Sequence, residues 1–472
     1  MINDSLSKDT HPFWQPFPAT YRARELATLA DWITTGESGA VVGLAGTGRA
    51  TLLGFLCHRP DALALYLGEQ AQRVRLIPVD LNNLPGHDLA TLYRVILRSF
   101  QENRERFDKV VQPLIETIFH RYERDTDPFL PQSGLRELLL YFQAQQMRIV
   151  LVMNRFDTFC QAATFPMTNT LRGLRDSFKD TLSFIMGMRQ DVIYLSGLDS
   201  VKPLRGLLDT HTCWVGPLAD EDGRFMLHDR LSGHQLAEEE ITNLLALTGG
   251  YPSLLRIACH WYRQTAAHPP PAQWATTLLP RPNAQHRLHE WWQSLNQEEQ
   301  AVLAEVQKRQ IQAKPGQPAH SPLAGQHEAV LASLQAKGAC RPEGTAWRII
   351  GDLPLAYVGQ VAGRSRGRLW LDEASGEIYQ GQLLVRELSP QEQALLQFLL
   401  HFPQVRHTHD DLIEGAWPPE DQKGGVSTEA LYQAVRSTRK KIEPDPSQPR
   451  YLVTWRGQRE GGYQLFPEGR PG

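Results

Sequence analysis

A glycine-rich turn near the N-terminus restricts the folds open to this chain more than any other feature. It spans Gly43 to Arg49 (GLAGTGR), follows an apolar strand candidate and leads into a helical pattern. Glycines let the backbone curl until successive N–H groups and the helix N-terminus face one point, an arrangement that favours a bound phosphate. A turn of this kind is typical of a parallel sheet flanked by helices.

Short apolar strands alternate with helical patterns up to about Gly216, which indicates βαβ units around such a sheet. The stretches Leu89 to His120 and Gly134 to Gln146 carry apolar residues at helical spacing. The predicted strands are Ala40 to Leu44, Arg73 to Leu81, Arg148 to Met153, Thr181 to Met188 and Cys213 to Val215.

The composition is that of an ordinary folded protein and excludes several classes. The 472 residues include 41% hydrophobic side chains and carry a net charge of -3, so several domains are expected and the whole chain is not polybasic. The five cysteines stand far apart, without a CxxC pair or a histidine at zinc-ligand spacing. We therefore expect buried thiols in a reducing cytoplasm and no metal site. The sequence has no run of apolar residues long enough for a membrane span, so no membrane partner is expected.

The two positions after the last glycine depart from the usual phosphate-binding chemistry. A lysine and then a serine or threonine normally follow, to reach the phosphates and to ligate magnesium. Arg49 and Ala50 occupy these positions here. A guanidinium keeps the positive charge but presents a planar fork instead of a compact ammonium. The magnesium ligand is missing unless the hydroxyl of Thr51 replaces it.

The third predicted strand ends without the carboxylates that hydrolysis requires. It leads into Asn154, Arg155, Phe156 and Asp157, where ATPases with a glycine-rich phosphate-binding turn commonly have Asp-Glu-x-Asp. Asn154 replaces the carboxylate that organises the metal, Arg155 replaces the base, and only Asp157 remains. The glycines and strands are kept while four critical positions have changed. The pattern predicts a pseudo-ATPase with no catalytic residues.

Two later features complete a resemblance to a known class. Arg189 follows the fourth strand at the place of a polar sensor, and the sequence Gly-Gly-Tyr-Pro ending at Pro252 opens a helix. Residues of about 20 to 362 resemble the STAND class of signal-transducing ATPases and their origin-recognition relatives. The resemblance implies a P-loop NTPase sheet, a helical lid and a winged helix, with ATP or ADP held as a switch between closed and assembled states. The implied nucleotide-binding residues are Gly43, Gly46, Thr47, Gly48, Arg49, Thr51, Asp157, Arg189 and Pro252.

The sequence allows three interpretations of the glycine-rich turn. It could bind nucleotide without hydrolysing it, it could be a tight turn that binds nothing, or it could support slow hydrolysis if Arg49 and Thr51 replace the usual ligands. Arg189 also has a plain alternative, which is to cap a helix or to pair with Asp191.

The last hundred residues predict a compact unit with a basic helix. Three short strands precede Ser389, Pro390 and Glu392, a combination that predicts a helix start with a capping box. The third helix of this unit, about 427 to 442, should bury Leu431, Val435, Thr438 and Ile442. Between residues 427 and 460 there are seven Lys or Arg against four Asp or Glu, a local excess of three positive charges in a net negative protein. A terminal hairpin closes the unit.

The segment from Arg368 to Phe466 resembles the OmpR/PhoB-type winged-helix DNA-binding domain in element order, caps and local sequence. The resemblance implies that the third helix enters the major groove, that the hairpin contacts the minor groove, and that the loop before the third helix touches RNA polymerase. A longer hairpin tip, 458 to 461, departs from the pattern. The implied DNA contacts are Gln433, Arg436, Arg439, Lys440 and Arg456. The alternative is a solvated basic helix in a winged helix that binds protein.

The predicted fold class is multidomain α/β plus α+β: a P-loop NTPase core (1–216), a helical lid (217–285), a winged helix (286–362) and the OmpR/PhoB-type domain (363–472). The predicted function is a cytoplasmic transcriptional regulator that binds double-stranded DNA, with RNA polymerase and further copies of the chain as candidate partners. The alternative is a non-enzymatic sensor or scaffold subunit of a signalling or defence assembly.

Overall fold

A computed structural model describes residues 12–82, 84–189, 191, 195, 199–265, 267–312, 324–361, 367–373, 375–380, 383–416, 428–444, 446–457 and 461–470. The chain forms two compact units. The first contains residues up to 294 with two short later pieces, 336–339 and 350–353, and the second contains the rest. Across the described ranges, no helix has the length and apolar character needed to cross a membrane. The bounds of the four predicted domains stay predictions.

The first unit is built on a parallel five-stranded sheet in the order β2-β3-β4-β1-β5. All five predicted strands are confirmed. Their side chains are almost all buried in β1, β3 and β4, as expected for a parallel sheet with helices on both faces. The strands are β1 (Gly39–Val42), β2 (Val74–Val79), β3 (Arg148–Met153), β4 (Leu182–Met188) and β5 (Thr212–Trp214).

Helices connect these strands and enclose the core. The stretch from Leu89 to His120, which has helical spacing, forms two helices, because the chain leaves the helix at Asn103 and a new one begins beside Pro113. The helices are α1 (Ala23–Thr35), α2 (Arg49–His58), α3 (Pro60–Leu67), α4 (Leu89–Glu102), α5 (Gln112–Tyr122), α6 (Phe129–Ala144), α7 (Phe156–Ala162), α8 (Phe165–Ser177) and α9 (Arg205–Leu208).

A helical segment follows the sheet in the first unit. The proline-rich region around 268 to 282 contains the short helix α13, because Trp274 is buried against Trp261 and its indole N–H donates to the Pro269 carbonyl oxygen (2.7 Å). The helices here are α10 (Asp220–Arg230), α11 (Glu238–Thr248), α12 (Pro252–Gln264), α13 (Trp274–Leu278) and α14 (Pro282–Gln293).

The segment predicted as the middle winged helix contains two helices, a hairpin and a third helix. The hairpin turns at Gly344 and Thr345, because Glu343 still pairs with Ala346. The elements are α15 (Gln297–Gln312), α16 (Ala324–Ala336), β6 (Cys340–Glu343), β7 (Ala346–Ile349) and α17 (Asp352–Val361). All five cysteines of the chain are buried free thiols, as predicted.

The described residues of the C-terminal part of the second unit form two three-stranded antiparallel sheets and three helices, and the terminal hairpin belongs to the second sheet. One strand, β11, was not predicted, since its residues show no apolar alternation and it forms by pairing with the distant β13. The elements are β8 (Leu369–Leu371), β9 (Ile378–Gln380), β10 (Leu383–Leu384), α18 (Pro390–His401), β11 (Arg406–Thr408), α19 (His409–Ala416), α20 (Thr428–Ile442), β12 (Leu452–Arg456) and β13 (Gly461–Leu465).

Candidate functional site

The turn from Gly43 to Arg49, here called the phosphate loop, joins β1 to the N-terminus of α2 at the carboxyl edge of the sheet. Gly46 and Gly48 have φ angles of 91° and 86°, a left-handed conformation that favours glycine. A side chain at Gly43 would put its Cβ 2.7 Å from Thr47 Oγ1. Thr47 is fully buried and its hydroxyl donates to the Leu44 carbonyl oxygen at 2.9 Å. The glycines are therefore required by the geometry of the loop itself.

Two helices of the following segment pack directly on the phosphate loop. The Ser253 amide at the start of α12 donates to the Gly46 carbonyl oxygen (3.2 Å), and the Ala45 amide donates to Ser294 Oγ just beyond α14 (3.2 Å). Pro252 lies against Gly48, where an added Cβ would meet its ring at 3.1 Å. The structure thus brings Pro252 to the loop, as the sequence analysis expected. Ser253 and Ser294 were not predicted.

Arg22 is a second element that the sequence analysis missed. Its side chain is buried, and it donates from Nη1 to the Gly216 carbonyl oxygen (2.9 Å) and from Nη2 to the Thr47 carbonyl oxygen of the phosphate loop. Nη1 also pairs with Glu25 at 3.2 Å. Its backbone amide donates to Asp222 of α10 at 3.0 Å. One residue therefore ties the loop to the end of the sheet and to the helical segment.

Arg49 begins α2 and lies inside the protein, with 8% of its surface exposed. Its Nε and Nη1 atoms are buried and have no hydrogen-bond partner among the described residues. Burial lowers the pKa of this guanidinium to about 10, and the nearby charges of Arg189 and Arg155 act in the same direction, whereas Asp157 opposes them. At neutral pH Arg49 therefore carries a charge whose buried donors lack protein acceptors.

The other predicted residues of this site gather at the ends of β3 and β4. Asp157 accepts a hydrogen bond on Oδ2 from the Arg189 amide (3.1 Å), while its buried Oδ1 has no partner among the described residues. Asn154 Oδ1 accepts from the Arg155 amide at 2.9 Å. Arg155 and Arg189 are both exposed. We call Arg49, Arg155 and Arg189 the arginine cluster.

The residues present fit a phosphate but do not fit magnesium. An anion would supply the hydrogen-bond acceptors that the buried Nε and Nη1 donors of Arg49 lack among the described residues. Ala50 has no oxygen, and within the described ranges no group of three or more His, Cys, Asp or Glu side chains is placed to hold a metal ion. A cleft of about 520 Å³ opens beside the first turn of α2, and Ala50, Asn154 and Arg155 are among its lining residues. Thr51, in the same turn, is partly buried.

The helix α20 divides into a buried and an exposed face as predicted. Leu431, Val435, Thr438 and Ile442 are all buried in the core of the C-terminal part. Gln433, Arg436 and Lys440 are exposed, and so is Arg456 at the end of β12. The predicted capping box is present, with the Glu392 amide donating to Ser389 Oγ (3.3 Å) and the Ser389 amide donating to Glu392 Oε2 (2.6 Å).

Residues 385–465 match the family model described as "Transcriptional regulatory protein, C terminal". The C-terminal domain is an OmpR/PhoB-type winged helix. A probable transcriptional regulatory protein of Picosynechococcus sp. is 41% identical over 70 residues, which are 15% of this chain and 27% of that protein. This chain therefore spans well under two thirds of the length of that relative.

The first unit is a P-loop NTPase fold by its parallel sheet, its strand order and its phosphate loop. Similar solved structures include a Walker-type ATPase of Pyrococcus abyssi, 15% identical, covering 72% of this chain and 95% of that chain with a TM-score of 0.43. Cdc6p from Pyrobaculum aerophilum is 15% identical and covers 76% of this chain and 97% of that chain with a TM-score of 0.35. The Aeropyrum pernix ORC1 protein in complex with DNA is 14% identical and covers 76% and 94%, also with a TM-score of 0.35.

Arg439, one of the predicted DNA contacts, is partly buried and also contacts the terminal hairpin. Its guanidinium donates to the Leu452 carbonyl oxygen (2.9 Å) and to Thr454 Oγ1 (2.8 Å) of the hairpin β12–β13, here called the wing. Its contact with DNA stays a prediction. Burial lowers the pKa of Arg439. The wing packs beside α20 and offers two acceptors. Arg439 is therefore a positioning residue for the wing.

A further basic residue of the winged helix, Lys441, binds groups of the same domain. Lys441 Nζ pairs with Glu392 of the capping box at 2.5 Å and donates to the Glu387 carbonyl oxygen at 2.6 Å. The local positive excess counted in the sequence therefore overstates the charge available to a ligand. The cations exposed on α20 and at the end of β12 are Arg436, Lys440 and Arg456.

Proposed function

We propose that this chain is a transcriptional regulator that binds double-stranded DNA through its winged helix. The observation that carries the proposal is the outer face of α20, where Gln433, Arg436 and Lys440 are exposed while the opposite face is buried. Arginine and lysine bind phosphates and guanine edges, and glutamine pairs with adenine, in a major groove. Arg456 adds an exposed cation on the wing.

We also propose that the first unit binds nucleotide as a switch and does not hydrolyse it. The phosphate loop and the buried donors of Arg49 support the binding of ATP or ADP. Asn154 and Arg155 in place of carboxylates support the absence of turnover, since the Asn154 amide carries no negative charge for a metal ion and Arg155 cannot accept a proton from water. In this proposal the molecule is a pseudo-ATPase whose nucleotide biases its conformation.

The proposal extends to partners and location. Free buried thiols at all five cysteines fit a reducing compartment such as the cytoplasm. Contact with RNA polymerase would involve the loop before α20, which lies outside the described residues. Self-association is the expected response to bound nucleotide.

Selection of duplexes from a random-sequence library by the full chain tests the proposal. We expect a preferred sequence, bound more tightly than a scrambled duplex of equal length when fluorescence anisotropy is followed at several salt concentrations. Specific binding typically exceeds non-specific binding by about a thousandfold or more. The absence of any duplex binding at low salt would contradict the proposal. Copurification of a stable protein partner together with no sequence preference would favour the scaffold alternative.

A further inference from the structure

We propose that the phosphate-loop site binds the phosphates of a nucleotide without magnesium, with the arginine cluster supplying the positive charge. This inference rests on the nucleotide-binding part of the proposed function. It differs from ordinary P-loop chemistry, in which a hydroxyl and a carboxylate hold a magnesium ion against the phosphates.

The buried side chain of Arg49 needs hydrogen-bond acceptors. A charged group deprived of water is costly unless hydrogen bonds replace the water, and two of the nitrogen atoms of Arg49 lack such bonds to the described residues. A Cβ at Gly187, near the end of β4, would lie 3.5 Å from Arg49 Nε and 3.2 Å from Asn154 Oδ1. Arg49 thus reaches the position where β3 and β4 end, and an anion bound there would satisfy its donors.

Positive side chains outnumber negative ones around this point. Arg49 interacts electrostatically with Arg155, Arg189 and the Asp157 carboxylate. The adjoining cleft is also lined by Arg98, Asp80 and Glu102, so these side chains carry four positive charges against three negative. The negative charge of a phosphate chain is attracted to such a site, whereas a divalent cation is repelled from it. The cluster can therefore neutralise phosphates in the way that magnesium does in other members of the fold.

The usual protein ligands of a magnesium ion are replaced in this chain. Magnesium requires near-octahedral oxygen ligands, usually one or two carboxylates besides water and phosphate. Ala50 and Asn154 occupy the positions where the sequence analysis expects the hydroxyl and the carboxylate. The cleft beside them, about 520 Å³ in volume, gives a ligand access to Arg155 and to the first turn of α2. The replacements at positions 49, 50, 154 and 155 are together consistent with the exchange of a bound metal ion for arginine side chains.

Calorimetric titration of the full chain with ATP tests the inference, first in excess EDTA and then in excess magnesium chloride. We expect the two dissociation constants to differ by less than about tenfold. Arg49→Gln should weaken binding by about tenfold or more in both conditions, since a charge-assisted hydrogen bond is lost. Arg172→Gln, on α8 and paired with Asp176, is the matched control and should leave the affinity unchanged. Inorganic tripolyphosphate in place of ATP tests whether the phosphates alone are sufficient.

A second variant tests the same exchange in the opposite direction. Ala50→Ser combined with Asn154→Asp restores the hydroxyl and the carboxylate, and we expect it to make ATP binding tighter in magnesium than in EDTA. Loss of wild-type binding in EDTA would overturn the inference, and so would the absence of ATP binding in both conditions. Neither result would affect DNA binding by the winged helix, so failure here is distinguishable from failure of the regulator proposal.

Thermal unfolding gives a readout that does not require bound ligand. Without nucleotide, Arg49→Met should raise the melting temperature, because it removes a buried charge whose Nε and Nη1 atoms lack hydrogen bonds to the described residues. With saturating ATP the order should reverse, since only the wild type gains stability from binding. A lower melting temperature of Arg49→Met without ligand would show that Arg49 is a structural residue and would overturn the inference.

Discussion

Arg439 on α20 donates a hydrogen bond from Nη2 to Thr454 Oγ1 on the wing, at 2.8 Å. The same guanidinium donates from Nε to the Leu452 carbonyl oxygen and lies over the ring of Tyr463, 5.5 Å from its centroid. Two strands of the wing are therefore fixed to the helix by one side chain. Because the wing is held in this way, Arg456 keeps a fixed position relative to the outer face of α20.

Replacing Arg439 should weaken both the fold and DNA binding. Arg439→Ala removes two hydrogen bonds to the wing, and we expect a loss of about 1 to 2 kcal/mol in the free energy of unfolding, measured with urea. Thr454→Val removes one of the two and should cost about half as much. Arg436→Ala, on the exposed face, should leave the stability unchanged. An equal stability of Arg439→Ala and the wild type would contradict the positioning role.

The exposed cations of α20 should determine the salt dependence of DNA binding. Each phosphate contact contributes about 0.9 to the slope of log K against log salt concentration. The double variant Arg436→Ala, Lys440→Ala should therefore reduce the slope by about 2 if both side chains contact phosphates. Lys109→Ala, an exposed lysine of the first unit, is the control. A slope identical to that of the wild type would exclude phosphate contacts by these two residues.

The stability of the winged helix should depend on the protonation of Glu392. Burial by itself raises the pKa of this carboxyl, but hydrogen bonds from Lys441, Ser437 and the Ser389 amide outweigh it, so the pKa lies below the ordinary value. A lowered folded-state pKa means that its contribution is present above the unfolded pKa and is lost as the pH falls through the folded pKa.

Urea unfolding of the wild type from neutral pH down to about pH 3 should show this loss of stability. Glu392→Gln should be less stable at neutral pH and should show a smaller fall over the acidic range, since it cannot be protonated. Parallel curves for the two proteins would contradict the assignment.

Arg22 should be essential to the first unit. Removing one member of a buried charged network typically costs about 3 to 5 kcal/mol, and Arg22→Ala leaves Glu25 and the Thr47 carbonyl oxygen without this partner. Arg24→Ala is a matched control, because that side chain is 79% exposed and lies 3.7 Å from the same Glu25. We expect the control to change stability by less than about 0.5 kcal/mol. The comparison is made by urea unfolding of the full chain.

ATP turnover should stay at background with magnesium present, both with and without duplex DNA. The residue that would activate water in an ATPase of this type is replaced by Arg155, which cannot accept a proton. Phosphate release is compared between the wild type and Arg49→Ala. A rate above background in the wild type that disappears in the variant would contradict the proposed absence of hydrolysis.

Much of the fold follows from features that lie close together in the sequence. The five strands, the capping box at Ser389 and the buried stripe of α20 each depend on residues within a few positions, through side-chain periodicity and backbone hydrogen bonds. The break at Asn103 and the helix at Trp274 were not predicted, because tertiary packing decides whether a helical pattern continues or a proline-rich stretch folds.

The phosphate loop, the residue types at positions 50 and 154 and the basic face of the winged helix can be read from the sequence, since they are properties of residue type at fixed spacing. Which polar groups meet depends instead on the tertiary structure. Arg22 reaches a carbonyl oxygen 25 positions away and Gly216 194 positions away, and Arg439 reaches a strand that forms beside its helix. Such partners depend on the packing of distant segments, which no local pattern encodes.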